Sequence, residues 1–344
     1  MQARFKLYFR VDGNNKIGYG HLFRCLALAE MVQNDFTPIF LVQNSNDFVL
    51  NQIKINHFDF IKIKTFESLE QEAQFIKQTY INTSSILLID GYQFSSNYQK
   101  ILKDGGAKLI CIDDLHNIHF FADIVINQAA KVSETLYLKE KDTRLCIGYE
   151  WVLQRFPFRQ SAIEKRTIES NSTAFFTLGG SNIAGIAPKI FKALQNVCQI
   201  NKIVFLKGSQ ELFDNEIAPL VKDIKKEIEI FEKLGSVDLC NLLKKCDIAI
   251  CPASVIALEC CSVGIGLFTG ITADNQSDNY LGLINSKVSV DLGDLRLQTV
   301  ENIAKIITDN IDISNLNSII AQQKIHFDGK GEKRYKSLLN SLSC

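Results

Sequence analysis

The chain of 344 residues is long enough for two domains, and its 46% hydrophobic residues can fill a substantial core in each. Lys and Arg together number 38, and Asp and Glu together also number 38. The resulting net charge of zero argues against a general binder of nucleic acids or anionic membranes. No segment is apolar enough to span a bilayer, and the first residues enter a strand instead of the apolar region of a signal peptide. We therefore expect a cytoplasmic protein without membrane insertion.

Strand-like apolar runs alternate with stretches of helical periodicity along the whole chain, which is typical of a parallel α/β fold. The predicted strands of the first half are Leu7–Val11, Pro38–Val42, Phe58–Ile63, Ile86–Asp90, Leu109–Asp113, Ile124–Asn127 and Leu145–Gly148. The predicted strands of the second half are Thr173–Leu178, Lys202–Leu206, Ile228–Phe231, Ile248–Cys251, Ile265–Phe268 and Val288–Val290. We predict a connector at Trp151–Arg159 and helices from Thr299 onward.

The polar run Glu164–Ser172 separates the two halves. We therefore predict two Rossmann-like, doubly wound parallel-sheet domains, residues 1–160 and 161–344, the second carrying the terminal helices. Ligands of doubly wound sheets bind at the carboxyl ends of the strands, so the expected binding site is an interdomain cleft.

The most informative segment joins the first strand to the first helix. Gly18 and Gly20 let the backbone approach a ligand closely, and a helix beginning near Gly20 would direct free N–H groups at that ligand. His21 can act as a base near neutral pH, and Arg24 can bind an anion or anchor the loop. The third glycine of a dinucleotide-binding fingerprint is missing. The segment predicts a substrate-binding turn that also carries catalysis.

Polar residues also follow later strands. Tyr92 could hydrogen-bond a sugar, assist proton transfer or only cap the edge of the core. Asp113 and Asp114 invite an acid/base interpretation, but adjacent strand residues point in different directions, which favours a turn or helix cap for at least one of them. In the second half, the polar and glycine residues at strand ends are Gly179, Gly180, Ser181, Ser254, Glu259, Asn275 and Gln276.

The Gly-Gly-Ser turn and the helix start at Ser254 suit a phosphate group, which backbone N–H groups can bind. Glu259 falls among apolar neighbours and needs a partner, either a ribose diol or a lysine or arginine elsewhere in the fold. The ordered recurrence of such residues favours a nucleotide-sugar site. No acidic cluster and no His/Cys set has metal-ligand spacing, so we expect no metal and no cofactor. The ten cysteines are predicted to be reduced thiols, most of them buried.

Together these segments resemble the UDP-sugar hydrolases of pseudaminic acid biosynthesis, which are relatives of the GT-B glycosyltransferases. The family's pattern Asp-x-x-x-x-Ile-Gly-x-Gly-His-x-x-Arg-Cys-x-x-Leu-Ala is matched from Asp12 to Ala29. The match continues in unbroken order through Ile89–Tyr92, Cys111–Leu115, Ile126–Gln128, Gly179–Ser181, Glu259–Gly264 and Asn275–Gln276.

The resemblance implies a GT-B-like fold and hydrolysis of UDP-2,4-diacetamido-2,4,6-trideoxy-β-L-altropyranose to UDP and the free sugar. It implies that His21 is the base for water and that Tyr92 and Asn275 lie near the reacting sugar. The residues it implies for the rest of the substrate are Asp12, Gly18, Gly20, Arg24 and Gln276. The residues it implies for the nucleotide, in the second domain, are Gly179, Gly180, Ser181, Ser254 and Glu259.

The chain departs from the family's pattern at three places. Gly91 stands where many members carry histidine, residues 251–258 replace a glycine-rich segment, and residues 264–266 lack a proline. These departures fall in the expected walls of the sugar and nucleotide sites. Two alternatives stay open: a GT-B glycosyltransferase in which His21 activates an acceptor hydroxyl, and a non-catalytic protein that binds a nucleotide sugar. The sequence does not predict an oligomeric state.

Overall fold

The computed structural model describes residues 5–14, 17–82, 85–179, 185–208, 210–221 and 225–342. The contacts divide the chain into two units. The first is Met1–Arg155 together with Lys330–Cys344, and the second is Phe156–Gly329.

The first unit is an α/β domain. Its strands are β1 (Phe5–Val11), β2 (Phe36–Val42), β3 (Asp59–Lys62), β4 (Ile86–Asp90), β5 (Lys108–Ile112), β6 (His119–Phe120), β7 (Ile124–Asn127), β8 (Leu138–Lys139) and β9 (Arg144–Ile147). Its first helices are α1 (Gly20–Val32), α2 (Asp47–Ile55), α3 (Leu69–Thr79) and α4 (Ser96–Lys103), and its 3₁₀ turns are Glu134–Leu136 and Tyr149–Trp151.

Seven of these strands form a parallel sheet in the order β3-β2-β1-β4-β5-β7-β9, while β6 and β8 pair separately. The order reverses direction between β1 and β4, where Val11 pairs with Asp90. Because both faces of a parallel sheet are covered, these central strands are almost continuously buried. The reversal is the topological switch point, the place where doubly wound sheets bind ligands.

The second unit repeats this plan. Its strands are β10 (Thr173–Phe176), β11 (Lys202–Leu206), β12 (Glu227–Phe231), β13 (Ile248–Pro252), β14 (Gly266–Ile271) and β15 (Val290–Asp294). Its helices are α5 (Phe156–Ile163), α6 (Ile186–Asn196), α7 (Gln210–Leu212), α8 (Ala218–Val221), α9 (Ser236–Leu243), α10 (Val255–Val263), α11 (Ser277–Asn285), α12 (Val300–Asn310) and α13 (Ile313–His326). A π-helical turn spans Phe213–Ile217, and a 3₁₀ turn spans Asp274–Gln276.

All six strands of the second unit are parallel, in the order β12-β11-β10-β13-β14-β15. This is the Rossmann order 3-2-1-4-5-6, and its switch point lies between β10 and β13. The two units confirm the predicted fold class of two Rossmann-like, doubly wound parallel sheets.

The last helix, α14 (Gly331–Asn340), belongs to the first unit although it follows the second in sequence. Its buried residues Tyr335, Leu338 and Leu339 join the hydrophobic core that α1 forms on one face of the first sheet. The structure therefore differs from the division into 1–160 and 161–344, which assigned every terminal helix to the second domain. The apolar face of α14 is covered by residues that are distant in sequence, so local pattern cannot assign it.

The predicted strands all appear, with shifts of one to a few residues at their ends. The connector predicted at Trp151–Arg159 is wrong in its second part, because Phe156 begins α5 and Pro157 stands in the first turn, where a missing N–H costs nothing. The nine described cysteines are free thiols, and of these Cys198 is exposed and the other eight are buried.

Truncation of α14's buried face should destabilise the first unit. Leu339→Ala is expected to lower its free energy of unfolding by about 2–5 kcal/mol, because Leu339 is fully buried in the first core. The chain's one tryptophan, Trp151, packs edge-on against Tyr335 at 5.6 Å between ring centroids, so its fluorescence in urea reports on this unit. Lys333→Ala, at an exposed position of the same helix, is the matched control. An equal urea midpoint for Leu339→Ala and the control would contradict this placement of α14.

Candidate active site

Gly18 and Gly20 stand just before and at the start of α1. Gly18 has a φ of +83°, a left-handed conformation that glycine adopts without strain. A Cβ atom added to Gly18 or to Gly20 would meet no atom of the described residues within 4 Å. Helix α1 begins at Gly20 and has no side-chain cap. The side chain of the N-cap residue, Tyr19, makes no capping bond to the first N–H groups, which point toward the place where a ligand of this turn would bind.

His21, in the first turn of α1, is held by Asp90 at the end of β4. Its Nδ1 lies 2.7 Å from Asp90 Oδ1, and the exposed fraction of the His21 side chain is 8%. A carboxylate can only accept, so this contact assigns the proton to Nδ1 and leaves Nε2 as the nitrogen that can accept one, while Nη2 of Arg24 lies 3.1 Å from the same Nδ1. The edge of the Tyr92 ring packs on the imidazole, with 4.8 Å between the ring centroids.

Arg24 lies one turn further along α1 and is buried between two carboxylates. Its Nε donates to Asp90 Oδ2 and its Nη2 to Asp90 Oδ1, each at 2.6 Å. Its Nη1 donates to Asp114 Oδ1 at 2.8 Å and to Asp114 Oδ2 at 2.9 Å. The sequence left open whether Arg24 binds an anion of the substrate or anchors the loop. These bonds support the anchoring role.

The two carboxylates and the guanidinium stabilise one another's charges. Burial alone would raise the pKa of Asp90, but Arg24 and His21 hold it well below its usual range. Burial likewise disfavours charge on Arg24, yet Asp114 and Asp90 together raise its pKa well above its usual value. Asp90 and Arg24 are therefore both ionised at neutral pH even though they are withdrawn from water.

Tyr92 follows β4 and is half-exposed, which leaves much of its ring accessible to a ligand. Its hydroxyl donates to Asp114 Oδ2 at 3.1 Å. The neighbouring Asp113 is buried, which raises its pKa, and its Oδ2 accepts the backbone N–H groups of Leu115 and His116. Asp113 is thus the turn cap that the sequence predicted for at least one of the pair, while Asp114 faces the site.

Asp12 anchors the loops beside the site. Its Oδ1 accepts the backbone N–H groups of Gln43, at 2.7 Å, and Asn44, at 3.0 Å, and its Oδ2 accepts Nη1 of Arg10 at 2.7 Å. Arg10 is itself bonded at Nε to Glu72 at 2.6 Å, and all three charged groups are buried. These contacts support a role for Asp12 in fixing the loop after β2.

In the second unit, Gly179 and Ser254 follow β10 and β13, the two strands that flank its switch point. Gly179 has a φ of +64°, and a Cβ atom there would meet no atom of the described residues within 4 Å. The predicted Gly180 and Ser181 lie outside the described residues. Ser254 precedes α10 without capping it through its side chain, and Glu259 is buried in the middle of α10.

The two predicted amides of the second unit have different surroundings. Asn275 is exposed on the 3₁₀ turn after β14. Gln276 is buried, and its Oε1 accepts the backbone N–H of Thr272 at 2.8 Å, which fixes the start of this turn. Arg296 bonds both Asp274, at 2.8 Å, and Asp294, and so braces the turn that carries Asn275.

The structure thus brings His21, Arg24 and Tyr92 together within the first unit, and it adds Asp90 and Asp114, which were not among the predicted site residues. The signal for Asp90 was present, since it ends a wholly apolar strand at the predicted switch point. In the described part of the chain, no group of three or more His, Cys, Asp or Glu side chains is arranged to hold a metal ion. None of the described helices has the length and apolarity needed to cross a membrane.

Comparison with solved structures defines the fold as that of the GT-B class. MurG of Acinetobacter baumannii superposes with a TM-score of 0.67 at 12% identity, covering 98% of this chain and all of that one. A glycosyltransferase of Rickettsia africae gives 0.63 at 12% identity, with 98% of each chain covered. MnaA of S. aureus, solved with UDP, gives 0.67 at 13% identity, with 97% of each chain covered.

At the level of sequence, no family model matches the chain. It is 27% identical over 242 residues to the UDP-2,4-diacetamido-2,4,6-trideoxy-β-L-altropyranose hydrolase of Campylobacter jejuni, covering 65% of this chain and 84% of that enzyme. It is 22% identical over 285 residues to an uncharacterized protein of Methanocaldococcus jannaschii. That match covers 80% of this chain but spans little more than half, 57%, of the relative.

Removal of the Asp90 charge should destabilise the first unit in a pH-dependent way. Asp90→Asn is expected to lower the free energy of unfolding by about 3–5 kcal/mol at neutral pH, because it leaves Arg24 buried with one carboxylate instead of two. The folded-state pKa of Asp90 lies below its unfolded value of about 3.9, so its stabilisation is present above that pH and is lost as pH falls toward the folded value.

The difference between wild type and Asp90→Asn should therefore shrink below about pH 5. Urea unfolding followed by Trp151 fluorescence at several pH values measures it. Glu140→Gln is the control, since Glu140 is an exposed carboxylate that also bonds a histidine, His119, in the same unit. A gap that stayed constant down to about pH 3 would show that Asp90 is not held ionised by Arg24.

Proposed function

We propose that this protein hydrolyses a UDP-linked diacetamido-trideoxy sugar to UDP and the free sugar, in the biosynthesis of a nonulosonic acid such as pseudaminic acid. The observation that carries the proposal is the buried Asp90–His21 pair at an open glycine turn. The GT-B fold and the C. jejuni relative, which is named as such a hydrolase, support it.

In this proposal His21 Nε2 accepts a proton from water as the water oxygen bonds to the anomeric carbon. The bond from that carbon to the UDP oxygen breaks, and its electron pair leaves with UDP. Asp90 keeps Nδ1 protonated and stabilises the imidazolium that forms. UDP is a good leaving group, so the protein has mainly to position water and to stabilise the departing diphosphate.

The remaining roles follow from position. We assign Tyr92 and Asn275 to the reacting sugar, and Gly18 and Gly20 to the close approach of substrate to α1. Arg24, Asp12 and Gln276 would act on the substrate indirectly, by fixing Asp90 and the neighbouring loops. The N–H groups at the start of α10, after Ser254, suit the diphosphate.

We assign the nucleotide to the second unit, at Gly179, Ser254 and Glu259 together with the predicted Gly180 and Ser181. The alternative function is a GT-B glycosyltransferase that uses a UDP-amino sugar as donor, and the likeness in fold to the R. africae glycosyltransferase favours it. The two differ only in the nucleophile, because the same histidine can deprotonate water or an acceptor hydroxyl.

Incubation with a panel of UDP-amino sugars, without any acceptor, tests the proposal directly. Release of UDP, with the free sugar identified by NMR, is the expected result. Release that depends strictly on an added acceptor would establish the transferase instead. Binding of UDP without turnover of any donor would reduce the protein to a nucleotide-sugar binder.

The first prediction for this function concerns the base. His21→Gln should lower kcat by about 10²- to 10⁴-fold and leave UDP affinity nearly unchanged, because a general base acts in the chemical step. His119→Gln is the matched control, since His119 also forms a histidine–carboxylate pair in the first unit, with Glu140, and is half-exposed. Near-normal turnover of a folded His21→Gln variant would remove this residue from the mechanism.

A second prediction concerns the ribose. Glu259→Gln should weaken UDP binding by about 10- to 100-fold with little change in kcat, because a hydrogen bond to a charged group is lost equally from ground and transition states. Calorimetry measures the affinity, and Glu164→Gln, an exposed carboxylate of the second unit that is paired with Lys244, is the control. Unchanged affinity would assign Glu259 to the structure of α10.

A further inference from the structure

Asp114 is placed to act on two groups of the site at once. It follows β5, and only 11% of its side chain is exposed. Both of its oxygens accept Nη1 of Arg24, and Oδ2 also accepts the Tyr92 hydroxyl at 3.1 Å. The function proposed above assigns chemistry to His21 and Tyr92, and Asp114 bonds Tyr92 directly and the arginine that lies beside His21.

The contacts of Asp114 mirror those of Asp90. Asp90 binds His21 and Arg24, while Asp114 binds Tyr92 and Arg24, so one guanidinium joins the two carboxylates that hold the two rings. The ring of Tyr92 is half-exposed and makes an edge contact with the imidazole at 80° between ring planes. A half-exposed ring needs a directional bond to keep one orientation, and its hydroxyl bond to Asp114 supplies one.

We propose that Asp114 is a positioning residue, which fixes the Tyr92 hydroxyl relative to His21 through its shared bond to Arg24. The proposal rests on the function proposed above. It also defines what Tyr92 can do. The phenol O–H donates its hydrogen bond to the carboxylate, so toward the substrate its oxygen can only accept a hydrogen bond. A sugar amide N–H, a sugar hydroxyl or the attacking water could donate that bond. Tyr92 is then not the proton donor to the leaving group.

A double-mutant cycle separates positioning from simple structural support. Asp114→Asn should lower kcat by about 10- to 100-fold with KM within about threefold of wild type, as expected when a reacting geometry is displaced. In a Tyr92→Phe background the same substitution should lower kcat less than about threefold further, since the hydroxyl on which it acts is already gone. Glu140→Gln, at an exposed carboxylate, is expected to leave kcat unchanged.

Asp114→Glu keeps the charge beside Arg24 but displaces the acceptor by one methylene, so it should lower kcat even if Asp114→Asn folds poorly. The proposal would be overturned if Asp114→Asn lowered kcat by the same factor in the Tyr92→Phe background as in the wild type. A wild-type kcat in Asp114→Glu would overturn it as well. Urea unfolding of the same single and double variants, followed by Trp151 fluorescence, tests the Tyr92–Asp114 bond in the absence of substrate. Failure of the hydrolase proposal would instead appear as wild-type protein that releases no UDP from any donor.

Discussion

The guanidinium of Arg24 is bonded to Asp90 on one side and to Asp114 on the other, largely withdrawn from water. Charges in such a place are costly unless each is paired and hydrogen-bonded, so Arg24 depends on its carboxylate partners. The orientation of His21 depends on one of these carboxylates and that of Tyr92 on the other. The geometry of the proposed chemistry is therefore set by an ion cluster and not by the loop that carries the histidine.

A second buried cluster also pairs one arginine with two carboxylates. Arg10 lies within the apolar strand β1, where its charge is neutralised by Asp12 and Glu72, and Glu72 also accepts the Tyr98 hydroxyl at 2.8 Å. Asp12 in turn holds the backbone after β2. Arg10 lies on β1 and Asp90 ends β4, the two adjacent strands that flank the switch point, so each cluster fixes side chains beside the turn there. A preorganised site needs such support, because small displacements of reacting groups are expensive.

The second unit reaches a comparable arrangement with fewer charges. Its switch point presents a positive-φ glycine after β10, whose N–H donates to Thr177 Oγ1, and the start of α10 after β13, where backbone N–H groups can meet a ligand. Lys189 of α6 donates to the carbonyl oxygens of Leu295, Arg296 and Gln298, which ties the loop after β15 to this helix. Arg296 then braces the turn of Asn275. This division of labour, with side-chain acid/base groups in one unit and backbone donors in the other, agrees with the proposed cleavage of a nucleotide sugar.

The sequence by itself determined the alternation of strands and helices, the two doubly wound sheets, and the positions of His21, Tyr92 and Gly179 at strand ends, because hydrophobic period and glycine placement are local properties. It did not determine that Asp90 and Asp114 share Arg24, nor that Arg10 pairs with Glu72, 62 residues away. It also misassigned α14, whose apolar face is covered by α1. Which residue pairs with a buried charge, and which segment covers an apolar face, depends on packing between segments that are distant in sequence. Only the tertiary structure decides that choice.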